Sequence, residues 1–114
     1  MNKISMNDIP VRTKTGANFI LMNENVKMEL EPTSYGITIG ETYCHINLAF
    51  YNLDIREIFK PYVEQKFVIQ EISESGTFFY QNMTAGDPNF YTEVSRDGNT
   101  SYIQSMISFT KHYH

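Results

Sequence analysis

The stretch VKMELEPTSYGITIGETYCHINLAF, residues 26–50, decides the fold. Val26, Met28 and Leu30 alternate with Lys27, Glu29 and Glu31, a period of two that turns one face to a core and the other to water. Pro32-Thr33-Ser34 interrupts the run. Tyr35, Ile37 and Ile39 resume it on one face, and Gly40-Glu41 forms a tight connection. Beyond it Cys44, Ile46, Leu48 and Phe50 point one way, and Tyr43, His45, Asn47 and Ala49 the other. Three consecutive strands with short connections predict an antiparallel meander.

Toward the N-terminus, NFILMN (18–23) reads as a further strand closed by the turn residues Asn23-Glu24-Asn25. Residues 1–16 are polar, carry Pro10 and end at Gly16, which reads as an arm ahead of one globular domain over 17–114. Toward the C-terminus the period changes. Ile55, Ile58, Phe59, Tyr62 and Val63 recur at spacings of three and four, one face of a helix. Asp54 with Glu57 resembles a capping box, and Pro61 limits the helix length. The spacing predicts a short helix near 53–60, held on the sheet by Ile55, Ile58 and Phe59.

Strands follow over 66–72, 77–82, 90–95 and 100–110. The run Phe67-Val68-Ile69 predicts burial on both faces, and MTAGDPN (83–89) reads as a loop. Arg96-Asp97-Gly98-Asn99 joins the last two strands as a hairpin, because Gly and Asn accept positive φ. Ile103, Ile107 and Phe109 are expected to face the core from the last strand. The chain is rich in residues suited to a pleated surface. Twelve Ile, ten Thr, eight Tyr, eight Phe and five Val stand against four Leu and three Ala. The expected class is mainly β (α+β): a curled antiparallel sheet or two-layer sandwich of seven to eight short strands, with one short helix.

Nine Lys and Arg face thirteen Asp and Glu, for a net charge of -4, and the basic residues never form a run. Phosphate-backbone binding rests on clustered cations, so direct nucleic-acid binding is not expected. No apolar stretch approaches the ~20 residues that span a bilayer, and the N-terminal residues lack the apolar run of a signal peptide. One cysteine, Cys44, permits no internal disulfide. A cytoplasmic protein without membrane contact is the expectation.

The chemistry-bearing residues form no catalytic pattern. Cys44 and His45 point to opposite faces of a strand and cannot pair, so Cys44 reads as a small core hydrophobe and His45 as solvated. His112 and His114 share a face in an extended segment but lack the further ligands a metal site needs. Glu71 with Glu74, and Glu29 with Glu31, read as solvated charges. No nucleotide-loop, nucleophile-elbow or paired-cysteine motif occurs. No catalytic residue, metal or cofactor is therefore assigned.

Consecutive aromatics such as Phe79-Tyr80 and Phe90-Tyr91 place some rings on a second face. Such rings form either a second core layer or a docking patch, since Tyr offers large contact area with a polar tip. The last hairpin is the candidate partner-binding element: Tyr91, Glu93, Arg96, Asp97, Asn99 and Tyr102. These features favour a small acidic module that binds and occludes a larger protein. An inhibitor of the anti-defence or immunity type that phages and toxin systems encode would suit, with a nucleic-acid-handling enzyme as target. Acidic charge speeds encounter with such a basic surface. A homodimer, a structural subunit of a virion-like assembly and a small-ligand domain or enzyme are the alternatives.

Overall fold

The computed structural model describes residues 16–94 and 101–113. Its strands are β1 (Asn18–Met22), β2 (Lys27–Leu30), β3 (Ser34–Ile39), β4 (Tyr43–Tyr51), β5 (Lys66–Ser73), β6 (Gly76–Ala85), β7 (Asn89–Val94) and β8 (Ser101–His112). One short helix, α1 (Arg56–Phe59), runs into a 3-10 turn over Lys60–Tyr62. The eight strands form a single antiparallel sheet, ordered β2-β1-β5-β6-β8-β4-β3. Strand β7 lies on β8, opposite residues 101–106, where β6 has left it.

The sheet curls. Phe19 of β1 and Tyr35 of β3 stand near opposite ends of the strand order, yet their rings meet edge to face with centroids 5.0 Å apart. The residues between 30 and 34 link the two edge strands, but among the described residues no ladder joins β2 to β3, and the sheet is not a closed barrel. Inside the curl, Phe19, Leu21, Ile46, Leu48, Phe67, Ile69, Met83, Ile107 and Phe109 are fully buried. Alternation dictated this in β4, where Cys44, Ile46, Leu48 and Phe50 are all buried as expected. In β2, Met28 and Leu30 pack on the core but stay half-buried, as befits an edge.

The helix is shorter than 53–60. Pro61 at its end supplies no amide donor, and the chain tightens into the 3-10 turn. No side chain caps α1. Asp54 instead accepts from the Arg56 amide and pairs with its guanidinium at 2.7 Å. Entry into the helix is fixed from β8: the Ser105 hydroxyl donates to the Leu53 carbonyl and accepts from the Ile55 amide. Ile55 and Phe59 are buried as expected, but Ile58 is 46% exposed and does not anchor the helix. Four residues make barely one turn, and of its two apolar positions, Ile58 and Phe59, only Phe59 faces inward.

Strand β6 also corrects the reading. Residues 83–85 are strand, not loop, with Met83 and Ala85 buried. A bulge carries the strand on: Phe67 pairs with Met83 but Ile69 with Tyr80, so Gln81 and Asn82 together oppose Val68. Asn82 takes a φ of 59°, which Asn tolerates well. The extra residue resets the alternation, so that Tyr80 before it and Met83 after it face the same interior. In β5, Phe67 and Ile69 are buried while Val68 is half-buried, so only one face is core.

Candidate functional site: the outer face of the sheet

The predicted hairpin is seen only at its base. Tyr91 lies opposite Gln104 and Glu93 opposite Tyr102 in the β7–β8 ladder, while Arg96, Asp97 and Asn99 lie outside the described residues, as does His114. The described structure directs attention to the convex side of the sheet, which α1 does not cover.

On one half of that side the register assembles an apolar surface. Met22 lies opposite Val68, Ile20 opposite Gln70, and Gln70 opposite Phe79. Ile72 follows two residues after Gln70 on the same face. Ile20, Met22, Val68, Ile72 and Phe79 thus surround Gln70 across β1, β5 and β6, with Phe79 59% and Ile72 37% exposed. Lys27 and Glu29 of β2 continue the same rows as a charged border, since they pair with Met22 and Ile20. Glu24 and Glu74 are exposed in the turns that flank β2 and end β5.

The other half is polar. One register row runs Lys66–Thr84–Thr110–His45–Thr38 across five strands. His45 Nδ1 lies 3.0 Å from Thr110 Oγ1 and Nε2 lies 3.0 Å from Asn47 Oδ1. Asn47 Oδ1 also accepts from the Ser108 hydroxyl. His45 is therefore a half-buried member of a network and not the free solvated imidazole expected. Beside it opens a groove of about 810 Å³, lined among others by Glu64, Lys66, Asn82, Thr110, Lys111 and Tyr113.

Inside the curl, Glu71 corrects the expectation of a solvated charge: it is 5% exposed. Tyr80 donates to its Oε1 at 2.8 Å and Tyr35 to its Oε2 at 3.4 Å. Burial pushes both phenols above their ordinary range, and the neighbouring carboxylate adds to the rise. Cys44 is buried as expected, and burial holds its thiol above the usual value. Among the described residues no group of three or more His, Cys, Asp or Glu is placed to hold a metal, and no helix is long and apolar enough to cross a membrane.

Compared with family models, with curated proteins and with solved structures, the chain matches none. Its reading rests on its own geometry.

Proposed function

We propose that the protein acts by binding another protein, with the convex face of β1, β5 and β6 as its docking surface. The observation that carries this is the contiguity of Ile20, Met22, Val68, Ile72 and Phe79 on a solvent-facing sheet, where no other described element covers them. Aromatic and aliphatic side chains grouped at the centre of a polar rim are the usual anchors of an interface. The partner is a basic protein surface with an apolar centre. Around the patch Glu24, Glu29 and Glu74 face Lys27 and Lys66, three acids to two bases, and the chain carries -4 overall. The same charge opposes pairing of this face with a second copy, because like rims would meet. Occlusion of a larger nucleic-acid-handling protein, as an inhibitor, is the form of binding that this acidity suits.

The test is capture of partners from the source cells at moderate salt by tagged wild-type and Phe79→Asp proteins. Phe79 is exposed, so the variant is expected to melt within a few degrees of wild type, yet to lose a stoichiometric basic partner by about tenfold or more in affinity. Equal capture by both would refute the docking surface. A wild-type homodimer broken by the same substitution would replace the foreign partner with a second copy.

A further inference from the structure

The groove at the end of β8 does not depend on the docking surface, and it draws on both faces of the sheet: Thr110 and Ser108 come from the polar convex row, whereas Lys111 lies opposite Cys44 and shares its inward parity. Its hydrogen-bond directions follow from the network. Asn47 Oδ1 is the shared acceptor of the Ser108 hydroxyl and His45 Nε2. With its proton on Nε2, the imidazole offers Nδ1 as an acceptor, and Thr110 donates to it. The protons of Ser108 and Thr110 are thus committed to the network, and both oxygens keep lone pairs for a ligand. Glu64 adds a carboxylate acceptor. Lys66, Lys111 and the Asn82 amide supply donors in the same groove.

Interleaved donors and acceptors match hydroxyl groups, each of which can do both; a bare inorganic anion calls for donors alone. Charge adds a second constraint. Lys66 and Lys111 face Glu64 alone among the acids of the groove, an excess of one positive charge in a chain of net charge -4. The third constraint is a flat apolar surface. Tyr113 is 41% exposed, with Lys111 Nζ over one face of its ring at 5.4 Å from the centroid. The volume of about 810 Å³ suits a small molecule.

We propose that this groove binds an acidic monosaccharide, a polyhydroxylated ring carrying one carboxylate or phosphate. The acid group lies at Lys66 and Lys111. The hydroxyls face Thr110, Ser108, Asn82 and Glu64, and the C–H face of the ring rests on Tyr113. His45 touches no ligand; it is a positioning residue that holds the Thr110 hydroxyl.

The test is a heteronuclear NMR titration of the full chain with glucuronic acid and with glucose 6-phosphate, using glucose and inorganic phosphate as comparators. At least one acidic sugar is expected to shift the Thr84, Thr110 and Lys111 amides saturably, about tenfold more tightly than either comparator. Lys66→Gln with Lys111→Gln should reduce the acidic sugar to the glucose level. Thr110→Val should weaken acidic and neutral sugars alike, with an unchanged fold by amide dispersion. Phe79→Asp should leave the titration as in wild type, which separates this site from the docking surface. Absence of saturable shifts at about 10 mM would overturn the assignment, since that is weaker than any useful affinity. Phosphate binding as tightly as the sugars, or wild-type affinity in the lysine variants, would also overturn it.

Discussion

Phe59→Asp is expected to yield no folded protein, whereas Ile58→Asp is expected to fold and to melt close to wild type. The two residues are neighbours in a four-residue helix, and their fates differ because of what each touches. Phe59 is 1% exposed and its ring meets Phe109 edge to face at 6.4 Å. Phe109 in turn contacts Phe67 at 6.2 Å, and Phe67 contacts Tyr62 at 6.1 Å. Removing the ring alone costs about 3–5 kcal/mol in a core of this kind. Burying an unpaired carboxylate there adds several more, against a total stability of about 5–15 kcal/mol. Ile58 is half-exposed, and a substitution at such a site usually changes stability by about 0.5 kcal/mol or less. Circular dichroism melts of both variants check the pair. A cooperative melt for Phe59→Asp would mean that α1 is not docked on β8; collapse of Ile58→Asp would mean that Ile58 is buried.

Tyr80→Phe is expected to give the second large effect. Glu71 is nearly solvent-free, and Tyr80 provides its shorter hydrogen bond. Loss of that donor leaves a buried carboxylate oxygen without its partner, at a cost of about 1–3 kcal/mol, or several degrees in Tm. The pH dependence carries a sign of its own. Burial first, and Glu71 second, raise both tyrosines above the ordinary phenol value of about 10. In the unfolded chain they ionise near that value, so above it the unfolded state holds fewer protons than the folded one. Their contribution to stability is complete below pH 10 and is lost as the pH rises from there toward the raised folded values. Tyr80→Phe removes one of the two groups, so it lowers stability near pH 8 and flattens the alkaline decline. Urea melts of both proteins at about pH 8 and at about pH 10.5 measure this directly. A variant as stable as wild type at the lower pH, with an equally steep alkaline loss, would mean that Tyr80 does not serve Glu71.

Alternation over residues 26–50 made the three strands legible but not their pairing: β3 pairs with β4, whereas β2 pairs with β1 at the far edge, so the expected three-stranded meander does not form. The site was less legible, for reasons of distance along the chain. Glu71 shares its parity with Phe67 and Ile69, a signal that it points inward. The tyrosines that satisfy it come from β3 and β6, and no local pattern announces them. Ile20, Val68 and Phe79 each fall on the outer face of their own strand, yet they become one surface only because β1 pairs with β5 rather than with a sequence neighbour alone. The same holds for Lys66, Thr84, Thr110 and His45, which only the register brings into one row. The turn residues Gly86, Asp87 and Pro88 drew the loop reading back over Met83 and Ala85, and the bulge at Asn82 shifts the parity that would have tied those two to Tyr80. Three apolar residues at helical spacing do not say which of them a single turn leaves outside, and Ile58 was the one.

The central claim, that the convex face of β1, β5 and β6 docks a partner protein, is tested most directly by amide hydrogen exchange of the chain alone and in its captured complex. Slowed exchange confined to residues 18–22 and 68–79, with residues 108–113 exchanging as in the free chain, is the expected result. Slowed exchange over 89–113 with none over 18–22 and 68–79 would contradict it and return the binding site to the final hairpin.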